Sequence, residues 1–340
     1  MSELVVATVG AANFLPRIRV LAASLARVHP GLPLVALLMD EPGGRFDPAR
    51  EPFPILAACD IAHAPLRTLA FRYERRAACA AAKPALLRHL VAQGHRRVLF
   101  LDPDMVVTGD LAPVTGALDD ASIVLTPHLV TPATGPAARQ RELAIGRAGV
   151  VNTGVVGVRA GEESERFLAW WAERLLTGCV ADPVAGLHLD QRWADLAPGL
   201  FAGVRLLRDP GVNVAYWNLP ERPLRIEGPR VTAAGRPCRL VHVSGYDLRN
   251  PEDLSVYAPG LHTRDLRDAG RLLGRYRRAL LDNGEDEARA WRWAFDRYAD
   301  GVRIDAAARA AHRDLGPAAE RFGDPFAVGR GSFRSWLGAR

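Results

Sequence analysis

Cysteine is scarce in this sequence, and what there is stands alone. The four cysteines, Cys59, Cys79, Cys179 and Cys238, show none of the Cys-x-x-Cys spacing of a zinc ribbon or a dithiol redox pair, so reduced structural thiols are expected. Long apolar runs are missing too, and none approaches the roughly 20 residues that span a bilayer. Met1 leads into the apolar residues 4–9 without a basic leader or a cleavage signal. A cytoplasmic protein is therefore expected, with peripheral attachment at the inner face of the membrane left open. Neither Gly-x-Gly-x-x-Gly nor a Walker sequence is present, which counts against the usual dinucleotide and ATP sites. The net charge is +6, yet the arginines are dispersed and no basic stripe carries interleaved aromatics, so no nucleic-acid partner is expected. No internal repeat is visible.

What is present is an ordinary globular chain of 340 residues, 49% apolar and 24% charged. Residues 4–9 form an expected strand, Gly10-Ala11-Ala12-Asn13 a loop, residues 16–28 a helix and residues 34–39 a second strand. That spacing is a right-handed βαβ unit, the start of an α/β, Rossmann-like and mostly parallel sheet flanked by helices. Ligands of such sheets bind at the carboxyl ends of the strands, which makes the loop after the first strand a candidate nucleotide site and points to Thr8, Val9 and Asn13.

The richest stretch is Val98-Leu99-Phe100-Leu101-Asp102-Pro103-Asp104-Met105-Val106-Val107. Its unbroken apolar run suits a central strand buried on both faces. Asp102 and Asp104 then flank a proline at the strand's carboxyl end, where two carboxylates and a diphosphate could share Mg2+ or Mn2+. A solvated turn is the plain alternative. Upstream, Lys83 precedes Pro84 in an alanine- and leucine-rich stretch; the proline predicts a helix beginning near residue 84, with Lys83 at its first turn and suited to an anion. A surface lysine would read the same way.

Further on, residues 149–158 read as a strand interrupted by Asn152-Thr153-Gly154, and a glycine there marks a bulge or a close approach. Residues 164–176 form an amphipathic helix whose Trp170 and Trp171 are expected in the core. Asp190 follows a loop containing Gly186 and His188 and is either a substrate-binding carboxylate or the N-cap of a short helix. His242 lies in the strand-like Leu240-Val241-His242-Val243-Ser244-Gly245, a core histidine unless that strand runs beside Asp102 and Asp104. After about residue 262 leucines at helical spacing, an aromatic cluster from Trp291 to Tyr298 and a helix over 306–315 predict a C-terminal helical extension packed on the catalytic core.

Taken in order, these motifs resemble GT-A-fold glycosyltransferases, specifically the retaining enzymes related to glycosyltransferase family 8, over about residues 4–250. With the change of character after residue 262, the expected division is a catalytic domain over 1–262, with a nucleotide half to about 110 and an acceptor half beyond it, and the extension over 263–340. The resemblance implies transfer of a sugar from a nucleoside-diphosphate sugar, a UDP-sugar foremost, to a sugar, glycan, lipid-linked or small-molecule acceptor, with retention of configuration. It further implies Asp102, Asp104 and His242 as Mn2+ ligands (Mg2+ being the alternative ion). Position at the strand ends and charge put Thr8, Val9, Asn13, Lys83, Asp102 and Gly245 on the donor, and the order and chemistry of the motifs put Asn152 and Asp190 beside the reacting carbon. Asp190 would position substrate first and act as a nucleophile second. One departure stands out. Family members often carry Lys-Pro-Trp after His-x-x-Gly, whereas here Tyr246-Asp247-Leu248-Arg249 follows, leaving Arg249 as the substitute. Oligomerisation is open. A haloacid-dehalogenase-like phosphatase using Asp102 as nucleophile and Asp104 as acid is the rival enzyme, although about a hundred residues precede its motif and no Gly-Asp-x-x-x-Asp follows. A non-catalytic nucleotide-sugar-binding protein is the rival outside catalysis.

Overall fold

Apolar runs bounded by Gly, Pro and Asp become the strands of one mixed sheet in the computed structural model, which describes residues 3–61 and 64–339. The chain opens with β1 (Leu4–Gly10), α1 (Leu15–Val28), β2 (Leu34–Leu38), β3 (Ile55–Ala57), α2 (Leu66–Arg72), α3 (Arg75–Ala92) and β4 (Arg97–Leu101). Next come β5 (Met105–Val107), α4 (Ala112–Asp120), β6 (Ile123–Pro127), α5 (Ala138–Ala148), β7 (Val151–Arg159) and α6 (Glu162–Gly178). A short hairpin, β8 (Ala181–Asp182) and β9 (Leu187–His188), precedes α7 (Gln191–Ala194), α8 (Ala197–Leu200) and β10 (Val204–Leu206). The meander β11 (Leu224–Glu227), β12 (Arg230–Ala233) and β13 (Arg236–Pro237) leads to β14 (Leu240–His242), followed by α9 (Arg267–Asp282), α10 (Glu285–Ala288), α11 (Ala306–Asp314) and α12 (Phe333–Gly338). Among the described residues no helix is long and apolar enough to cross a membrane. All four cysteines are free thiols.

The central sheet has the order β10-β6-β7-β4-β1-β2-β3. Every neighbouring pair is parallel except the two made by β7, which runs against both β4 and β6. Alternation decides which helices each strand meets. Leu99 and Leu101 join Leu15, Ile18 and Leu21 of α1 on one face, while Val98 and Phe100 join Leu86 and Leu87 of α3 and Phe167 and Trp171 of α6 on the other. Both faces are covered, so β4 reads as a solid apolar run. Trp171 is fully buried, in line with a core role.

Because β7 is reversed, its first residues, not its last, lie at the carboxyl end of β4. The Asp102 amide donates to the Gly154 carbonyl at 2.8 Å. Pairing with β6 breaks here: Leu125 faces Val156 but Thr126 faces Asn152, so residues 153–155 bulge out of the ladder. The Asn-Thr-Gly interruption leads into that bulge and supplies two of its three residues. Separately, β14 pairs antiparallel with β5 and sets His242 opposite Met105, one residue from Asp104. The condition attached to His242 is met.

One expectation fails. Pro84 does not start a helix but sits inside α3, so Lys83 is mid-helix rather than at a first turn. Proline deprives the Ala80 carbonyl of its helical partner, yet α3 is held on both sides, its alanines and leucines packing against the sheet and α6. Tertiary burial outweighs the local preference.

The C-terminal residues share this core. Phe71 of α2 meets the Phe326 and Phe333 rings at 5.1 and 5.6 Å, and Trp293, Phe295 and Tyr298 belong to the same buried cluster. Arg309, buried on α11, donates to the carbonyls of Ala70, Phe71, Tyr73 and Phe295, which satisfies its planar fork without a carboxylate. His312 is wedged between Phe71 and Phe333. Burial, reinforced by Arg72, pushes its pKa down to about 4, and burial does the same to His128 after β6. Both imidazoles stay neutral in the fold at pH values where unfolded histidine, with a pKa near 6.5, takes up a proton. Their stabilising contribution is therefore complete above about pH 6.5 and lost as pH falls towards 4. Urea midpoints should drop over that window, and His312→Asn should flatten the drop.

Candidate functional site

A cavity of about 500 Å3 opens at the carboxyl ends of β1 and β4, within the range of small-molecule sites. Its wall is assembled from Val9 and the turn after β1, Arg76, Cys79 and Lys83 along α3, Asp102 and Asp104 after β4, Asn152 and Thr153 where β7 enters the bulge, Asp190, and His242 with Gly245. These residues come from β1, α3, the turn between β4 and β5, β7, the junction of β9 and α7, and β14, which is why they lie far apart in the chain.

Asp102, Asp104 and His242 offer ligand atoms that all lie within 4.8 Å of one another. His242 Nε2 stands 3.2 Å from Asp104 Oδ1 and 3.7 Å from Asp102 Oδ2. Ligands on adjacent corners of an octahedron, each about 2.1 Å from the ion, are about 3 Å apart. Two carboxylates and an imidazole at this spacing fit a divalent ion such as Mg2+ or Mn2+. Burial pulls the His242 pKa down, but Asp104 and Asp102 together lift it above the ordinary value. The same imidazole and Arg17 hold the Asp104 carboxyl low against the upward push of burial. Asp102 moves the other way: burial outweighs Lys83 and raises it. The imidazole forms a third corner for which the phosphatase alternative has no use, and that alternative is not favoured.

Lys83 is buried beneath the acids. Its ammonium sits 3.1 Å from Asp102 Oδ1, 3.0 Å from Asp190 Oδ2 and 3.2 Å from the Thr153 carbonyl. Three acceptors match its three hydrogens. Burial lowers its pKa and the two carboxylates more than restore it, so the amine stays charged. Asp190 occupies the N-cap position of α7 without capping it. Its Oδ2 instead accepts from Thr153 Oγ1 at 2.7 Å, and its carbonyl accepts from Trp171 Nε1 at 3.0 Å. Leu189, just before it, has φ 51°, a left-handed backbone that costs a branched residue about 1 kcal/mol or more and turns the chain into the cavity.

Asn152 is committed within the wall. Its Oδ1 accepts from the Gly154 amide at 3.1 Å, and its Nδ2 donates to His128 Nε2 at 3.3 Å. Gly154 is there for space: a Cβ would lie 2.7 Å from His242 Cε1 and 2.8 Å from Asn152 Oδ1. Gly154→Ala should displace the imidazole, costing about 1–3 kcal/mol of stability together with most of the Mn2+ affinity. Urea unfolding and a Mn2+ titration by electron paramagnetic resonance check both.

No family model matches the chain. It is 27% identical over 174 residues to the uncharacterized protein YfnF of Bacillus subtilis strain 168, covering 50% of this chain and 57% of that one. YfnD of the same strain is 26% identical over 183 residues, covering 52% and 56%. The chain thus spans just over half the length of these curated relatives. Among solved structures it is similar to apo mouse xyloside xylosyltransferase 1 (14% identity, TM-score 0.44, 71% of this chain and 97% of that one). It is also similar to the galactosyltransferase LgtC with donor and acceptor sugar analogues (16%, 0.42, 78% and 95%), and to GlyE of Streptococcus pneumoniae TIGR4 (16%, 0.45, 86% and 67%). Likeness at this level carries no residue roles, and the site's chemistry stands on its own geometry.

The remaining expected residues divide. Val9 lines the cavity, whereas Thr8, fully buried, and Asn13 do not. Alternation is the reason for Thr8, since Val5, Ala7 and Val9 share the α3 face and Thr8 points the other way. Gly245 lines the cavity with φ 70°, and a Cβ there would strike Ser255 and Tyr257. Arg249 does not serve as the substitute cation: it is exposed and chelates Asp247, holding that carboxyl low. The wall's other cations are Arg17, which pairs with Glu285 at 2.7 Å, Arg75, and Arg76, whose Nη1 donates to Tyr257 at 2.7 Å. Sequence inspection missed these, because an arginine among dozens carries no mark. Lys83 did carry one: it is the only lysine in the chain.

Proposed function

We propose that this chain is a metal-dependent glycosyltransferase that moves a sugar, with retention of configuration, from a nucleoside-diphosphate sugar to a hydroxyl of a sugar, glycan, lipid-linked or small-molecule acceptor in the cytoplasm. The observation that carries this is the convergence of Asp102, Asp104 and His242 in the lining of a cavity whose wall is electrically balanced. Arg17, Arg75, Arg76 and Lys83 offset Glu74, Asp102, Asp104 and Asp190. A divalent ion and a diphosphate are neutral as a pair, so they enter without upsetting that balance. Mn2+ or Mg2+ held by the three ligands would offset the charge that builds on the departing diphosphate.

The chain's own residues supply position. Lys83 fixes Asp102 on the ion side and Asp190 on the sugar side of one ammonium, about 3 Å from each. Asp190 uses Oδ2 for Lys83 and Thr153, which leaves Oδ1 to accept from a sugar hydroxyl and orient the anomeric carbon. UDP-sugars are the first donors to try. The test is a panel of nucleotide sugars incubated with and without Mn2+. Release of nucleoside diphosphate from one donor, dependent on the ion, is expected, as is a retained anomeric centre by NMR of the product. No release from any donor overturns the proposal, and an inverted product overturns retention.

A further inference from the structure

We propose that Asn213 is the positioning residue that dictates which nitrogen of His242 is presented to the cation, an inference that rests on the metal-binding role proposed above. Asn213 stands between two valines, fully buried, at φ 59°. An asparagine so placed leaves polar groups that must be satisfied inside the protein, and its left-handed backbone is one that asparagine tolerates better than most side chains.

Its bonds have a single consistent direction. Asn213 Nδ2 donates to Thr126 Oγ1 and to Asn152 Oδ1, both at 2.9 Å. A carboxamide nitrogen has two hydrogens and no lone pair to offer, so the group left to face His242 is Oδ1, 3.1 Å from Nδ1. An oxygen acceptor there requires the hydrogen on Nδ1. The lone pair of the neutral imidazole is then on Nε2, the nitrogen turned towards Asp104 and Asp102.

The amide cannot be flipped without cost. A reversed Asn213 would set its oxygen against Asn152 Oδ1, which is already the acceptor of the Gly154 amide. A backbone N–H donates in one sense only, so it anchors the whole relay: Gly154 fixes Asn152, Asn152 fixes Asn213, and Asn213 fixes His242. The far side agrees, since Asn152 Nδ2 donates to His128 Nε2 and lies 3.5 Å from Gln191 Oε1. His128, held neutral by burial, can accept at Nε2 while its Nδ1 faces the Val150 carbonyl.

The spacing is held as firmly as the direction. The His242 amide donates to the Val214 carbonyl at 2.8 Å and the Val214 amide to the Leu240 carbonyl at 2.9 Å, which ties the segment around Asn213 to β14. Asn218 Nδ2 grips the Asn213 carbonyl and Arg222 Nη1 the Val212 carbonyl, both at 3.0 Å. Trp217 packs its edge near the imidazole, with ring centroids 5.3 Å apart.

The test uses the full chain and Mn2+ alone, read by the electron paramagnetic resonance of free ion and by the 14N coupling of a directly bound imidazole. The wild type should bind Mn2+ and show that coupling, and His242→Ala should lose it. Asn213→Gly keeps the left-handed backbone but removes both hydrogen-bonding groups; it should weaken Mn2+ binding about 10–100-fold and diminish the coupling. Asn213→Asp keeps an acceptor for the Nδ1 hydrogen and should retain the coupling. If the wild type binds no better than His242→Ala and shows no coupling, the metal role itself fails. If the wild type shows the coupling and Asn213→Gly matches it in affinity and coupling, the role of Asn213 is overturned while the metal role stands. Should Asn213→Gly not fold, Asn213→Asp decides, since a folded Asp variant without the coupling overturns the assignment.

Discussion

Alanine in place of Asp104 is expected to lower sugar transfer about a thousandfold and to remove tight Mn2+ binding while leaving the protein folded. The carboxylate is one of three ligands, and its loss forfeits on the order of 4 kcal/mol of charge stabilisation, about three powers of ten in rate. Folding should survive because Asp104 holds β14 through its backbone: its carbonyl accepts from the Val243 amide at 2.9 Å, and alanine keeps that bond. Asp247→Ala is the matched control, an acid just past β14 that does not line the cavity and is chelated by exposed Arg249, and it should transfer sugar at the wild-type rate. Turnover with and without added Mn2+ separates the two. An Asp104→Ala protein that turns over near the wild-type rate without metal would refute the proposed function.

The central sheet was legible because its signal is local. Residues 4–9, 34–39 and 98–101 are apolar at strand length and punctuated by Gly, Pro and Asp, and all three became strands. The two acids were legible for the same reason, as charge abruptly ending a buried run. His242 was legible only conditionally, since nothing within residues 240–245 says that β14 will pair with β5. Lys83 was singled out with the wrong local structure, because a proline's effect on its own helix was weighed and the burial of that helix against α6 was not. Arg76 and Tyr257 were invisible: they meet across 181 positions of sequence. Asn213 was readable in principle. A polar amide between two valines has to find partners, and the run Val212-Asn213-Val214 names the residue without naming His242, Thr126 or Asn152.

Replacing Lys83 with methionine should give the largest loss of stability of any single change at the site, about 3–5 kcal/mol near pH 7, because it strands the buried Asp190 carboxylate, the partly buried Asp102 carboxylate and the Thr153 carbonyl. The sign of the pH dependence follows from what is left behind. Burial already raises the Asp102 pKa while Lys83 opposes it; without the amine, the folded-state pKa of Asp102 rises further above its unfolded value. A carboxyl of that kind destabilises the fold at high pH and ceases to do so as pH falls through its raised pKa. The gap between wild type and Lys83→Met, measured by urea unfolding, should therefore narrow from pH 7 towards pH 4. Adding Asp190→Asn to Lys83→Met removes one stranded charge and should recover part of the stability but none of the transfer activity, since the same carboxylate positions the sugar. Arginine is not a conservative substitute. Its planar fork is wider than an ammonium and cannot place three hydrogens on three acceptors about 3 Å away inside α3, so Lys83→Arg should also lose most activity. A pH-independent gap would show that Lys83 stabilises by packing against Phe100, 4.9 Å away, rather than by charge, and full activity in Lys83→Arg would show that the site needs only a positive charge and not the ammonium's geometry.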